Sequence, residues 1–207
     1  MLKKAFSKVV IGAVALSSLA AYAEVVPNYS TSSPYVGLQG VYGFMDKMEK
    51  VNSGGKQDPT KSRSGYGAKL TFGFSVDPAL TADMPLAIEA NYIFLHGLKN
   101  TDNSISSVNS HIGNLLFKVS LPLSEDASVF IGAGPSYILR QICGPETANH
   151  KPHKSFGAAA QIGAKYRIDE GLFVILTADY NHPISGEDAK RPTSLFAVSL
   201  GLQYNIV

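Results

Sequence analysis

The chain has 207 residues, 45% hydrophobic and 16% charged, with a formal net charge of +2, one cysteine and no tryptophan. That length suits one domain or at most two small ones, and the lone Cys143 excludes an internal disulfide. Beyond the N-terminal segment no stretch reaches the ~18 continuous apolar residues of a transmembrane helix, so any membrane insertion must be by strands.

Taken in chain order, the first 23 residues read as a bacterial secretory signal. Lys3, Lys4 and Lys8 form a basic n-region, an apolar run begins at Val9, and Ala21-Tyr22-Ala23 is an A-x-A cleavage pattern. Its removal takes three of the 18 basic residues and none of the 16 acidic ones, leaving a formal charge of −1. The basic balance therefore belongs to the signal, and nothing argues for nucleic acid as a partner. A polar leader follows over 24–33, expected to lie in the periplasm, and residues 34–207 are then read as one barrel domain.

Within that domain, alternating runs near 35–45, 64–75, 85–96, 109–121, 128–140, 155–168, 172–181 and 194–207 predict eight strands. Each is about the ~9–11 residues that a tilted strand needs to cross a bilayer. Proline falls mostly at edges and loops. Pro135 is the exception and predicts a bulge or a shortened ladder in the fifth strand.

Composition indicates which face is wet. In the second strand Tyr66, Ala68, Leu70, Phe72 and Phe74 oppose Gly67, Lys69, Thr71 and Gly73; in the sixth Phe156, Ile162 and Tyr166 share a face opposite Gly157, Gln161, Gly163 and Lys165. The second face is too rich in small residues and too poor in charge for a solvated exterior. It suits the crowded lumen of a small barrel, and the apolar face then meets lipid. Aromatic residues gather at the strand ends of that apolar face: Tyr42, Phe44, Tyr66, Phe94, Tyr137, Phe156 and Tyr180 at one rim, Phe74, Tyr166 and Tyr204 at the other. This predicts an interfacial girdle. Phe130 and Ile138 in the fifth strand, and Phe173 and Ile175 in the seventh, would face inward, which requires either an apolar plug or a shifted register.

The connections 45–63, 97–108, 141–154 and 182–193 read as long and alternate strictly with shorter ones at 76–84, 122–127 and 169–171. External loops and periplasmic turns of outer-membrane barrels follow this pattern. The short turns carry only acids, whereas the first and third long loops are rich in lysine. A basic outer rim suits anionic lipopolysaccharide, though ordinary solvated loop charge explains it equally well.

The segments "YVGLQGVYGF", "VFIGAGPSY", "FGAAAQIGAKYRI" and "SLGLQY" resemble the small outer-membrane β-barrels that include the OmpA-like transmembrane domain and the opacity and Ail-type surface proteins. The resemblance implies an all-β fold, an eight-stranded antiparallel transmembrane barrel in the outer membrane, inserted by the barrel-assembly machinery. It implies no peptidoglycan-binding domain, because the chain ends with the eighth strand. The closing "SLFAVSLGLQYNIV" is similar to the terminal signal that this machinery reads, with Tyr204 as the aromatic and Ile206 keeping the apolar phase where an aromatic usually stands.

The lumen charges predicted are Lys69, Glu89, Lys118, Lys165 and Asp179, with Arg140 and Arg167 nearer the rims. Buried charges require partners, so Glu89 and Asp179 are expected to pair with some of these lysines as a structural network. A narrow, anion-leaning pore is the functional alternative. His96, His111, His150, His153 and His182 all fall at or beyond the outer rim. Cys143, His150 and His153 share a loop, which is a weak signal for a metal, and no metal or other cofactor is expected. His182, Ser185 and Glu187 invite comparison with lipid A deacylases, which are similar in architecture, but the serine there follows the histidine by two residues and here by three. No catalytic residue is therefore assigned. The leading expectation is a non-enzymatic surface protein with envelope-structural and adhesin-like roles; the alternatives are a narrow solute or ion pore and a lipid A-modifying enzyme. Expected partners are outer-membrane lipid and lipopolysaccharide, the assembly machinery, and host or envelope proteins met through the external loops.

Overall fold

Alternation of outward apolar and inward small or polar residues puts the chain into extended strands that satisfy their backbone groups only by pairing. The computed structural model describes residues 32–45, 49–51, 57–59, 63–76, 85–100, 107–143, 152–186 and 193–206. Its strands are β1 (Ser33–Met45), β2 (Glu49–Val51), β3 (Gln57–Pro59), β4 (Arg63–Val76), β5 (Leu86–Asn100), β6 (Ser107–Pro122), β7 (Ala127–Cys143), β8 (His153–Asp169), β9 (Leu172–Gly186) and β10 (Leu195–Asn205). Eight of them close in the order β1-β10-β9-β8-β7-β6-β5-β4, and β2 pairs with β3 as a separate two-stranded ladder inside the first long connection. Every ladder is antiparallel. The closing one runs from Tyr35↔Asn205 to Met45↔Leu195, so neither β1 nor β10 keeps a free edge along that span.

The outward face is apolar around the circumference, with Leu38, Tyr66, Phe72, Phe117, Phe156 and Leu200 all exposed to the surroundings of the barrel. In water such a surface would drive association; in a bilayer it is the solvent-matched face. At the short-turn end β8 turns into β9 through Glu170 and Gly171 alone. Gly171 takes φ 76°, a left-handed conformation that a two-residue hairpin demands and glycine adopts without strain.

Three expectations about the strands need correction. The strands are longer than the alternation indicated. Gly97–Asn100 and Ser107–Val108 belong to β5 and β6, reached through an irregularity between Leu95 and Leu98 where Gly97 has φ 63°. The connection 101–106 is therefore shorter than 77–85, and the strict long–short alternation fails at that point. Likewise β9 continues to Gly186, so "NHPISG" is strand and not loop.

Pro135 makes no bulge. Pairing of β6 with β7 lapses between Asn114↔Ser136 and Phe117↔Ala133 but resumes in the same register, which is the shortened ladder of the two expected outcomes. The same continuity decides the inward apolar residues. β7 stays in register with β6 and β8, and β9 with β10, and Phe130, Ile138, Phe173 and Ile175 are all buried inside the barrel.

Candidate functional site

The inward residues of the eight strands fill the lumen in three tiers. Nearest the long-loop end lies an apolar plug of Val41, Met45, Ile93, Leu95, Leu98, Val108, Ile112, Ile138, Leu195 and Ala197, most of them wholly inaccessible. The backbone makes room for it: a Cβ at Gly43 would come within 2.6 Å of the Leu95 side chain. Arg140 is buried beside this tier and donates from Nη2 to the Thr193 carbonyl at 2.7 Å.

The middle tier is polar. Lys69 on β4 reaches across the lumen to Asp179 on β9, donating to both carboxylate oxygens at 2.8 Å and to Thr177 Oγ1 at 3.1 Å. Gln161, which stands directly opposite Asp179 on β8, donates to the same carboxylate at 2.7 Å. Both charges are almost inaccessible, at 0% and 2% side-chain exposure. Buried charges survive only with such complete hydrogen bonding.

A second pair lies toward the short-turn end. Lys118 Nζ is 2.5 Å from Glu89 Oε2, the Tyr35 hydroxyl donates to the same oxygen at 3.0 Å, and Asn91 donates to the other at 3.2 Å. Glu89 and Lys118 sit on neighbouring strands in diagonal register, Glu89↔Leu116 beside Ala87↔Lys118, within reach of long side chains. Asn114 extends the chain of bonds by donating to Asn91 at 2.9 Å. Tyr35 fits here because Gly73 faces it: any Cβ at Gly73 would collide with the tyrosine ring. Lys118 also lies 3.8 Å over the Phe130 ring, a cation–π contact made in a desolvated setting.

The ammonium of the third predicted lysine, Lys165, lies 5.2 Å over the Phe173 ring. Lys165 lines a cleft of about 240 Å³ open at the short-turn end, walled by Tyr35, Lys118, Ser128, Phe130 and Phe173. Arg167 stands outside the lumen, exposed, donating to Asp126 at 2.9 Å and also to the Glu125 carbonyl.

The predicted aromatic residues occupy the two ends of the outer face. Tyr42 meets Phe44 edge-on at 4.7 Å, Phe44 approaches Phe196 at 6.4 Å, and Tyr137 packs on Phe156 at 4.9 Å, all toward the long loops. Tyr66, Phe94 and Tyr180 lie at the same end, each beside a histidine: His96, His111 and His182 respectively. Phe74, Tyr166 and Tyr204 are exposed at the opposite end, each facing outward. Ile206 follows β10, its amide donating to the Pro34 carbonyl at 2.8 Å. His182 Nδ1 contacts Ser194 Oγ at 2.8 Å and not Ser185, and Glu187 lies outside the described residues. His150 and the predicted signal segment lie outside them too, as do the Cys143 and Arg63 side chains; among the described residues no cluster has the ligands for a metal.

Sequence reasoning offered an apolar plug as one of two explanations for inward Phe130, Ile138, Phe173 and Ile175, of which Ile138 belongs to it; it missed the plug's other members and the roles of Gln161, Thr177, Asn91 and Tyr35 in completing the ion pairs. The signal for the plug was present: Ile93, Leu95, Ile112 and Leu195 all occupy the inward phase of their strands.

A closed antiparallel barrel, apolar outside and filled inside, specifies an architecture, and comparison with known proteins specifies the family. The model for the outer membrane protein beta-barrel domain matches residues 9–205. The chain belongs to that family. Among solved structures it is similar to Neisserial surface protein A, at 13% identity and a TM-score of 0.59, covering 84% of this chain and 99% of that one. It is also similar to Ail, the attachment invasion locus protein of Yersinia pestis, at 11% identity and a TM-score of 0.50, with coverage of 84% and 99%. A second Ail structure, in complex with the heparin analogue sucrose octasulfate, matches at 10% identity and a TM-score of 0.51, again covering 84% of this chain and 99% of that one. At these identities the likeness is one of fold. No curated protein matches the chain.

Proposed function

We propose that this protein is a non-enzymatic, non-conducting barrel of the bacterial outer membrane that supports the envelope and presents its long-loop end to the outside. One observation carries the reading: the lumen is obstructed, with Ile93, Leu95, Leu98, Ile112 and Ile138 inaccessible at one level and two saturated ion pairs below them. Eight strands leave an interior that side chains can fill, and here they do. The short-turn end then faces the periplasm and the long connections face outward, as in bacterial barrels generally. The outward face meets membrane lipid, its rim aromatics meet the lipopolysaccharide interface, and the barrel-assembly machinery is the partner during insertion. The likeness in fold to Ail, described as an attachment protein and captured with a heparin analogue, supports a surface-interaction role with host or envelope molecules.

Planar-bilayer recording of the refolded chain tests the central point. The expected result is a silent membrane across ±100 mV, a potential worth about 2.3 kcal/mol per elementary charge. Reproducible conductance steps whose ion preference changes with Lys118→Glu would establish a pore instead. Lipid A mass spectra from cells with and without the protein are expected to be identical; a missing or added acyl chain would overturn the non-enzymatic reading.

A further inference from the structure

Two chains of hydrogen bonds leave the ion pairs and stop short of each other. From Glu89 one runs through Asn91, which donates to Oε1, to Asn114, which donates to Asn91 Oδ1 at 2.9 Å. From Asp179 the other runs to Gln161, which donates to the carboxylate at 2.7 Å. The anions orient these amides. Each spends an NH2 hydrogen toward its carboxylate, which leaves Asn114 Oδ1 and Gln161 Oε1 as the free ends. Neither oxygen has a protein partner, and two acceptors cannot bond to each other.

Between these ends stand Ser136 on β7 and Asn181 on β9. The Ser136 hydroxyl and both polar atoms of the Asn181 amide also lack protein partners. Asn181 is 0% exposed, and Asn114, Ser136 and Gln161 are buried with it. Register sets the four in a row around one wall. Asn114 is the direct partner of Ser136 and Ser136 of Gly157, while Asn181 faces Ala159 and Gln161 faces Asp179. Gly157 and Ala159 put almost nothing into the lumen at this point. A Cβ at Gly157 would stand 2.9 Å from Ser136 Oγ and closer still to the His182 carbonyl oxygen, so the hydroxyl leans over bare β8 backbone. Ser136 and Asn181 are separated by two strand spacings, about 10 Å, more than a hydroxyl and an amide close directly.

We propose that ordered water molecules are bound here, on Asn114, Ser136, Asn181 and Gln161, and join the two ion pairs into one hydrogen-bonded circuit around the β6–β9 wall. Water fits the donor set. The three amide oxygens need donors, the Asn181 NH2 needs an acceptor, and the serine hydroxyl takes either role. Buried water typically makes about three such bonds to groups otherwise left unsatisfied, whose exposure to a dry interior would be costly. A monovalent cation would suit the oxygens but not the NH2 group, and both carboxylates are already engaged by lysines. The site does not depend on which end of the barrel faces outward.

The test is a crystal structure of the refolded full-length chain, grown from detergent in sodium chloride and again in rubidium chloride. Ordered density peaks are expected within about 2.7–3.2 Å of these side-chain atoms, each bridging at least a pair of them, with no anomalous signal in rubidium. Asn181→Leu keeps the shape and removes the polar atoms. Shown to be folded by heat-modifiable gel mobility, it should lose the peak that bridges to Gln161 and keep the one between Asn114 and Ser136. A tier without density when rim waters are ordered, side chains turned to bond one another directly, an anomalous rubidium peak, or an unchanged set of peaks in Asn181→Leu would each overturn the proposal. If Asn181→Leu does not fold, Ser136→Ala decides: the peak beside Asn114 should disappear, and its persistence with unchanged partners refutes the assignment.

Discussion

Asp179→Asn is the most exposing single change, because it removes one charge from a pair that water cannot reach. Lys69 would keep its ammonium in place, donating to Thr177 and a neutral amide, with 0% of its side chain accessible. Removing one partner of a buried pair costs about 3–5 kcal/mol, since the remaining charge stays desolvated without compensation. Gln161 also loses the anionic acceptor it holds at 2.7 Å, which adds to the same side of the balance. With a guanidinium dependence of about 2–6 kcal/mol per molar, the unfolding midpoint in lipid vesicles should fall by about 1 M, read as the folded band on unheated gels. The double variant Lys69→Met, Asp179→Leu removes both charges and should recover most of that loss. An unchanged midpoint for Asp179→Asn, or a double variant no more stable than the worse single one, would refute the reasoning.

Gly73→Ala places a methyl against the Tyr35 ring, which cannot swing aside without giving up its bond to Glu89; a cost of about 1–3 kcal/mol is expected, relieved by adding Tyr35→Leu, with guanidinium midpoints as the readout. Arginine substitutions report depth on the lipid face: Leu200→Arg, midway along β10, should cost about 2–4 kcal/mol, whereas Tyr66→Arg at the rim should cost about 0–1 kcal/mol, and equal costs would contradict the girdle. Leu95→Ala empties part of the plug and should destabilise by about 2–5 kcal/mol in the same titration. Leu95→Ser wets the plug, and in that background Asp179→Asn should cost at least ~1 kcal/mol less than in the parent; strict additivity would separate the two tiers.

The outward face of the barrel was legible because lipid imposes one demand on every strand. Leu38, Phe72, Phe117, Ile162 and Leu200 obey it, and two-residue periodicity finds them all. The ends of β5 and β6 were not legible, because Gly97, Lys99, Asn100 and Ser107 are poor strand formers held extended only by continuation of the ladder. The plug's members on β5 were hidden for a different reason. Where Ile93 and Leu95 alternate with Tyr92 and Phe94, both faces are apolar, and the contrast that identifies a lumen vanishes. Charge identity was readable but pairing was not. Lys69 and Asp179 are on strands that share no ladder, so their meeting depends on strand tilt and stagger, which alternation does not encode.

The two halves of the lumen make sense only together. A column of lysines and carboxylates in an open barrel would be hydrated, its pairs worth little and its interior conductive. The plug above them changes the medium: Leu95, Ile112 and Ile138 pack at the long-loop end, and the cleft at the short-turn end opens past Lys165 and Phe173. Desolvation then becomes severe for any charge inside, which is why Asp179 is met by a lysine, a glutamine and a threonine, and Glu89 by a lysine, a tyrosine and an asparagine. The plug makes the ion pairs obligatory, and the ion pairs fix the cross-lumen register that keeps the plug's side chains at one level. Disturbing either should loosen the other, although Leu95 and Asp179 lie on strands that share no ladder. A barrel whose interior served only to pass solute would have no use for that dependence.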